Sequence, residues 1–122
     1  MRPHLLEWQR DGYREYHRNR STLWVHLFAV PAFIVATLSL VLSLVTVSWV
    51  SAVSALVGMA LSFFVQGLTH RREPTPSIPF DGVGDAISRI FAEQFITFPR
   101  FLVSGRWWVA LRATSQLHGS AH

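Results

Sequence analysis

The chain has 122 residues, half of them hydrophobic, with eleven arginines, no lysine, seven acidic residues and no cysteine. This length suits a single domain, and the lack of cysteine excludes disulfide bonds and thiolate metal ligands. The net charge of +4 does not indicate a nucleic-acid-binding protein, because neither a basic helix with base-reading side chains nor a platform of stacking aromatic side chains is evident.

The first predicted element is a short amphipathic helix over residues 4–19. Its apolar face contains Leu5 and Trp8, and arginines lie on the opposite face. A short helix with one apolar and one basic face is typical of the interface between a membrane and water. Ser21 or Thr22 is the expected N-cap of the helix that follows.

The longest feature is uncharged, since no Asp, Glu, Lys or Arg occurs between Ser21 and Thr69. As one α helix these 49 residues would extend about 70 Å, more than twice the hydrocarbon core of a bilayer. The stretch therefore predicts a hairpin of two membrane spans, residues 23–45 and 49–68, with Pro31 kinking the first span or marking a new start. A secretory signal peptide is not expected, because the apolar core of such a peptide is much shorter than this stretch. A hairpin buried in a soluble protein is the alternative, but the remaining 73 residues are too few to cover two wholly apolar helices.

The arginines predict the orientation of the hairpin. Five precede the first span and six follow the second, whereas the turn between the spans contains none. By the positive-inside rule both termini face the cytoplasm. The chain as a whole is predicted to be an all-α integral membrane protein, in which residues 1–114 form a single membrane domain built on a two-span transmembrane hairpin.

Prolines and glycines divide the segment after the spans. Three prolines enforce an extended loop, and Pro99 is expected to end the first of two interfacial helices. Trp107 and Trp108 in the second of these helices suit the headgroup layer. The predicted ranges are 73–84 for the loop, 85–98 and 100–113 for the two helices, and 115–122 for a disordered tail.

Small residues predict which faces of the two spans meet, because helices in lipid approach most closely through small side chains. Continued towards its C-terminal end, the stripe on the second span reaches Gln66 and His70, which a hairpin places beside His26. His17 lies just outside the same end of the hairpin. The same stripes can pack between chains, so a homo-oligomer is an open alternative. The stripes are His26, Ala29, Ala32, Ala36, Ser39 and Ser43 on the first span and Ser51, Ala55, Gly58 and Ser62 on the second.

Three imidazoles that converge at a membrane edge indicate a metal site. Neutral imidazole suits iron, zinc, copper and nickel, and an ionisable residue inside a membrane is by default a candidate functional residue. We therefore interpret His17, His26 and His70 as metal ligands, although each could also bind only a backbone carbonyl or a headgroup. The other three histidines lie in exposed or terminal segments and are not expected to take part.

Further polar residues near this end allow two interpretations each. Gln66 supports a ligand or ties the two spans together. Glu73 orients a histidine, completes the coordination or pairs with a neighbouring arginine, and Tyr16 supports the site or anchors the chain at the interface. Arg71 and Arg72 hold a carboxylate substrate or headgroup, or only set the orientation of the hairpin.

Two polar residues later in the chain have no expected role. Glu93 and Gln94 follow the spans by more than twenty residues and are predicted to lie on the surface of their helix. No glycine-rich phosphate loop, nucleophile elbow or HExxH zinc motif is present.

The histidines belong to a longer pattern of spaced residues. Tyr-His is followed nine residues later by a second His and five residues after that by Pro. After two apolar helices comes "QGLTHRREPTPSIP", with Gln, a third His, an acidic residue and prolines. The residues of this pattern are Tyr16, His17, His26 and Pro31 in the first part and Gln66, His70, Glu73 and Pro74 in the second. The pattern resembles that of the yeast-type 2-hydroxy fatty acid dioxygenases of phytosphingosine breakdown, and within that family a bacterial-type branch, over roughly residues 13–103.

This resemblance implies an Fe(II)-dependent membrane enzyme, in the bacterial inner membrane, that uses dioxygen to shorten a 2-hydroxy fatty acid by one carbon (α-oxidation). It implies that the three histidines bind the iron and that the substrate chelates through its hydroxyl and carboxylate groups. Three alternatives use the same residues: a haem-binding membrane anchor with His26 and His70 as axial ligands, a zinc hydrolase, and a non-catalytic lipid-binding scaffold.

Overall fold

The computed structural model describes residues 3–120, and the side chains of residues 3–114 among them. This part of the chain is helical and contains no strand, which confirms the all-α prediction. The last two residues of the predicted tail, 121–122, lie outside the described residues. The elements are α1 (Leu5–Gly12), a 3₁₀ turn (Tyr13–Tyr16), α2 (Arg20–Val45), α3 (Trp49–His70), α4 (Val83–Ala92), a π turn (Glu93–Thr97), α5 (Phe98–Val103) and α6 (Arg106–Ser120).

Helices α2 and α3 form the predicted antiparallel hairpin. The chain reverses over three residues between them, with Val47 in the left-handed region at φ 56°. Small residues lie at the contact as the stripes predict: Ser62 donates a 2.5 Å hydrogen bond to the carbonyl of Ala29. A Cβ added at Gly58 would lie 3.5 Å from the Cβ of Ala36. Close approach of the two helices therefore depends on small side chains.

The outer faces of the hairpin are apolar and exposed. Phe28 is 70% exposed and Val50 82% exposed. Both helices are long and apolar enough to cross a membrane, and only 17% and 22% of their most apolar windows are buried inside the protein. In the core helix of a soluble protein most of such a window is buried. The exposed apolar faces instead suit lipid, and α2 continues past Pro31 without a new start.

The N-terminal prediction is wrong in its extent. Helix α1 ends at Gly12, and only a 3₁₀ turn follows it. The amides of Arg18 and Asn19 donate to the two carboxylate oxygens of Glu73, at 2.8 and 2.9 Å, so this part of the chain is not helical. Asn19, rather than Ser21 or Thr22, then occupies the N-cap position of α2.

Pro99 does not end a helix at this point. The π turn Glu93–Thr97 connects α4 to α5, and the amide of Phe98 donates to the carbonyl of Glu93, five residues back. Proline lacks an amide hydrogen and its ring clashes with the carbonyl four residues earlier, so a wider turn before it lets the chain stay helical.

Helix α6 packs against the start of α2. The indole N–H of Trp107 donates a 3.0 Å hydrogen bond to the carbonyl of Leu23. Trp107 is fully buried, so of the predicted tryptophan pair only Trp108 is exposed. The backbone is helical to Ser120, whereas disorder was predicted from Ser115, because no proline interrupts the helix and its first glycine is Gly119. The packed core at this end of the hairpin comprises Tyr13, Leu23, Val30, Phe98, Phe101, Trp107 and Ala110.

Candidate metal centre

The three predicted histidines meet at the open end of the hairpin. His17 follows the 3₁₀ turn, His26 lies in the second turn of α2, and His70 is the last residue of α3. Their ring centroids are 4.6 to 5.1 Å apart and their planes are nearly perpendicular to one another. This placement agrees with the convergence that the small-residue stripes predict.

Backbone hydrogen bonds fix the tautomers of two of these rings. Nδ1 of His17 lies 2.6 Å from the carbonyl oxygen of Tyr13, and Nδ1 of His26 lies 2.9 Å from that of Thr22. Because a carbonyl only accepts, Nδ1 carries the proton in both rings and Nε2 holds a free lone pair. Metal-binding histidines commonly have this arrangement, with one ring nitrogen donating to a carbonyl and the other facing the ion.

The nitrogens that face the centre of the cluster have no hydrogen-bond partner among the residues that the structure describes. Nε2 of His17, Nε2 of His26 and Nδ1 of His70 are buried, and none of them makes a hydrogen bond. A buried polar atom without a partner costs about 1–3 kcal/mol, so three of them at one point are unfavourable unless something binds there. A metal ion accepts all three lone pairs, and the residues present therefore fit a metal.

Glu93 brings a carboxylate to the same point, contrary to its predicted surface position. Its Oε2 lies 3.7 Å from Nε2 of His17, and its side chain is 23% exposed. One ligand atom from each of His17, His26, His70 and Glu93 lies within 4.8 Å of all the others. His17, His26 and His70, with Glu93 as the fourth residue, would hold a metal ion at this point.

Gln94 holds Glu93 in this position and is itself fully buried, again contrary to prediction. Its amide N–H groups donate to Oε1 of Glu93 at 3.0 Å and to Oε1 of Gln66 at 2.9 Å. Gln66 returns a 2.9 Å hydrogen bond to Gln94 and donates another, of 3.2 Å, to Ser62. Gln66 was predicted either to support a ligand or to tie the two spans together. Its side chain does tie two elements together, but they are α3 and the π turn rather than the two spans.

The protonation states of His17 and Glu93 follow from their surroundings. Burial, and then the neighbouring rings of His26 and His70, hold the pKa of His17 well below its ordinary value, although the bond to Tyr13 opposes this. His17 is therefore neutral and able to bind a metal at neutral pH. Burial raises the pKa of Glu93 to about 7, against the hydrogen bond from Gln94 and the charge of Arg89.

A cavity of about 510 Å³ opens onto this cluster. His17, His70 and Glu93 form part of its wall, whereas His26 lies fully buried behind them. The rest of the wall is mainly apolar and comes from α1, the end of α3, the proline-rich loop and α4. Its lining includes Trp8, Tyr13, Phe63, Gly67, Ile78, Pro79, Phe80 and Ile90.

The predicted supporting residues are divided between this cavity and the scaffold. The backbone carbonyl of Tyr16 interacts with the ring of His70, and Tyr16 also lines the cavity. Glu73 lines the cavity, but both of its carboxylate oxygens are bonded to backbone amides, which suits an anchor for the start of α2. Arg71 lines the cavity and Arg72 does not; the carbonyl of Arg72 accepts a hydrogen bond from the side chain of Asn19.

Two residues with no predicted role at the site also contact it. The ring of Tyr13 stacks on that of His17 at 3.7 Å, and its hydroxyl is buried without a partner. Arg89 donates to the carbonyls of Ile78 and Pro79, at 2.8 and 3.0 Å, and so holds the proline-rich loop over the cavity. Tyr13 lies only four residues before His17, so its proximity is a signal that the sequence contains, whereas the contact of Arg89 with the loop depends on how α4 packs.

No protein family, curated protein or solved structure matches this chain in comparisons with known proteins. The class of protein therefore rests on the fold and the site alone. Together they define an all-α protein with two helices able to span a membrane and a cluster of three histidines and a glutamate that can hold a metal ion.

Proposed function

We propose that this protein is a membrane-bound Fe(II)-dependent dioxygenase that shortens 2-hydroxy fatty acids by one carbon. The observation that supports this most directly is the set of three buried, unpartnered imidazole nitrogens that face one point. Iron and the substrate class come from the resemblance in the histidine pattern. When bound, the ferrous ion supplies the activation of dioxygen and of the substrate hydroxyl group.

The surroundings of the site suit a fatty acid with a polar head. The cavity is mainly apolar, and its wall includes Phe63 and Gly67 on the lipid-spanning helix α3. Arg71 at the end of α3 provides a cation for a carboxylate. An acyl chain can thus remain in apolar surroundings while its hydroxyl and carboxylate groups reach the histidines.

The residues of the chain have separate tasks in this function. His17, His26 and His70 hold the ion as neutral ligands, with tautomers fixed in two of them by backbone carbonyls. Glu93, with a pKa of about 7, holds or accepts a proton beside the ligands or binds the ion itself. The Arg89-anchored loop covers the cavity and limits the access of water.

We further propose that the hairpin crosses the bacterial inner membrane with both termini in the cytoplasm. The supporting observation is the distribution of arginines. All of them lie either at or before Arg20, the first residue of α2, or after His70, the last residue of α3. The site then lies at the cytoplasmic edge of the bilayer.

The haem alternative is less favoured by the geometry. A haem between His26 and His70 would have to enter between two rings whose centroids are 5.1 Å apart, and the ring of His17 occupies the space beside them. A zinc hydrolase requires the same ligands, and only the identity of the metal and the reaction distinguish it.

Anaerobic purification without chelators, followed by metal analysis and oxygen uptake with 2-hydroxy fatty acids of several chain lengths, tests the proposal. We expect one iron per chain and oxygen consumption that depends on the 2-hydroxyl group, with the unsubstituted fatty acid as the control substrate. Zinc with no oxygen uptake after iron reconstitution would favour the hydrolase, and a Soret band would favour the haem protein. If the purified protein binds no transition metal, the proposal fails and the non-catalytic scaffold is favoured.

A further inference from the structure

A second cavity, separate from the metal centre, is lined by three arginines. It has a volume of about 190 Å³ and lies between the end of α1, the π turn, α5 and the start of α6. Arg10, Arg100 and Arg106 line it together with the rings of Tyr13 and Phe101. Arginines from three different elements, α1, α5 and α6, thus line one concave surface.

Two of these arginines have no acidic partner. Arg10 lies 3.4 Å from a carboxylate oxygen of Asp11, an exposed pair. Among the residues that the structure describes, no carboxylate oxygen lies within 4.0 Å of Arg100 or Arg106. The cavity therefore carries uncompensated positive charge.

Two of the neutral polar groups that line the cavity are already used within the protein. The hydroxyl of Thr97 donates to Gln9 at 2.6 Å, and that of Ser104 donates to the carbonyl of Phe101 at 3.1 Å. The guanidinium groups remain to bind an anion, and their planar arrangement of donors suits the oxygens of phosphate.

The contact between α6 and the start of α2 shows where this cavity lies along the hairpin. Trp107, next to Arg106, bonds to the carbonyl of Leu23 in the first turn of α2. Arg106 therefore lies where the apolar part of the hairpin begins. Two flanking apolar residues, Val103 and Trp108, are 86% and 55% exposed, as expected where the protein surface meets acyl chains.

We propose that this cavity binds the phosphate of an anionic phospholipid headgroup. The three arginines contact the phosphate oxygens, the rings of Tyr13 and Phe101 pack against the adjoining carbons, and Val103 and Trp108 lie along the acyl chains. A free phosphate ion has the same recognition chemistry, but it would make no use of the exposed apolar residues beside the cavity. This site does not depend on the metal or the reaction proposed above, because none of the three arginines contacts the metal ligands, but it rests on the proposed crossing of the membrane by the hairpin.

The test compares two double variants with the same loss of charge. Arg100→Gln with Arg106→Gln removes the two arginines that have no acidic partner. Arg14→Gln with Arg112→Gln removes two exposed arginines that do not line the cavity. Each protein is placed in nanodiscs of mixed phosphatidylglycerol and phosphatidylcholine, and the lipid retained after transfer to detergent is measured by native mass spectrometry.

We expect wild type and the Arg14/Arg112 variant to retain one phosphatidylglycerol per chain. The Arg100/Arg106 variant should bind this lipid at least about tenfold more weakly, because its charge-assisted hydrogen bonds to the phosphate are lost. Equal retention by both variants, or an equal loss in both, would overturn the proposal, because the charge would then act diffusely. Inorganic phosphate at millimolar concentration is not expected to displace the lipid. Displacement that depends on Arg100 and Arg106 would assign the cavity to free phosphate instead. All the substituted arginines are exposed, so thermal unfolding should be unchanged.

Discussion

Gln66 of α3 and Gln94 of the π turn exchange two hydrogen bonds, each 2.9 Å long, in the interior of the protein. These bonds belong to a series that runs from Ser62 through Gln66 and Gln94 to Glu93. The direction of donation along the series follows from the bond that Ser62 makes at its start. Because the hydroxyl of Ser62 gives its hydrogen to the carbonyl of Ala29, its oxygen must accept from Gln66. The amide pair is then oriented so that Gln94 donates to Oε1 of Glu93, which leaves Oε2 free to face His17.

Variants of this pair separate stability from metal binding. Gln94→Leu leaves Oε1 and one N–H of Gln66 buried without a partner, while the other N–H still donates to Ser62, and we expect it to lower the free energy of unfolding by about 1–3 kcal/mol. Gln66→Leu combined with Gln94→Leu removes both partners, and stability should largely return. The double variant still lacks the donor to Glu93, so its affinity for iron should remain reduced. Thermal unfolding of the metal-free protein and equilibrium metal titration measure the two effects. If the double variant bound iron as wild type does, Gln94 would have no role in positioning Glu93.

Single substitutions of the three histidines should remove the metal. In His17→Ala, His26→Ala and His70→Ala one of the converging nitrogens is lost in each case, and we expect less than stoichiometric iron in all three. His4→Asn is the matched control, because His4 is exposed and Asn tolerates its left-handed backbone, at φ 53°. Full iron content in any one of the alanine variants would remove that histidine from the ligand set. Circular dichroism of each variant checks that the helices remain.

The raised pKa of Glu93 predicts a release of protons on metal binding. With a pKa of about 7, this carboxyl group is mostly protonated at pH 6 and mostly ionised at pH 8.5. A metal bound by the carboxylate therefore expels about 0.9 proton at pH 6 and fewer than about 0.1 at pH 8.5, and its affinity rises with pH between these values. His17 is neutral throughout this range, since its pKa is lowered, and contributes no proton.

Calorimetric titration in buffers of different ionisation enthalpy measures the number of protons released. In Glu93→Gln the release at pH 6 should vanish and the affinity should lose this pH dependence. Proton release by Glu93→Gln equal to that of wild type would assign the proton to another group.

The hairpin and the meeting of His26 with His70 could be predicted from the sequence because they follow local periodicity, and His17 because it lies just before the first span. Small residues at intervals of three and four place His26 and His70 on the faces that meet, and the lack of charge between Ser21 and Thr69 defines the apolar helices. These signals concern neighbours along a helix. They are sufficient for two long elements that can pack together in only a few ways.

Glu93, the acidic fourth member of the cluster, could not be placed in the same manner. Glu93 reaches the histidines because a π turn shifts the helix register ahead of Pro99, and the sequence gives no clear indication of that turn. One signal was present: Glu93 and Gln94 form the only charged or amide pair in the otherwise largely apolar segment "IFAEQFITFP". A buried polar pair of this kind must find partners, and here they are Gln66 and the histidine cluster. Glu73, by contrast, is the acidic residue that the sequence places near His70. Its carboxylate accepts hydrogen bonds from the amides of residues 18 and 19 instead.

Gly67 offers a test of whether the large cavity admits the substrate. It lines this cavity on α3, and a Cβ added there would meet no atom within 4 Å. Gly67→Leu should therefore fold, with a gain of up to about 1 kcal/mol from the lower entropy of the unfolded helix position. Its side chain would extend into the 510 Å³ space, and we expect kcat/KM for long-chain 2-hydroxy fatty acids to fall by about tenfold or more at unchanged iron content.

Two glycine variants provide the controls for this measurement. Gly67→Ala adds only the Cβ and should retain activity. Gly58→Leu should instead destabilise the protein, because its Cβ would lie 3.5 Å from Ala36 and the remaining atoms would separate α2 from α3. If Gly67→Leu retained wild-type activity with long-chain substrates, these substrates would have to reach the histidines by a path that does not cross the α3 side of the cavity.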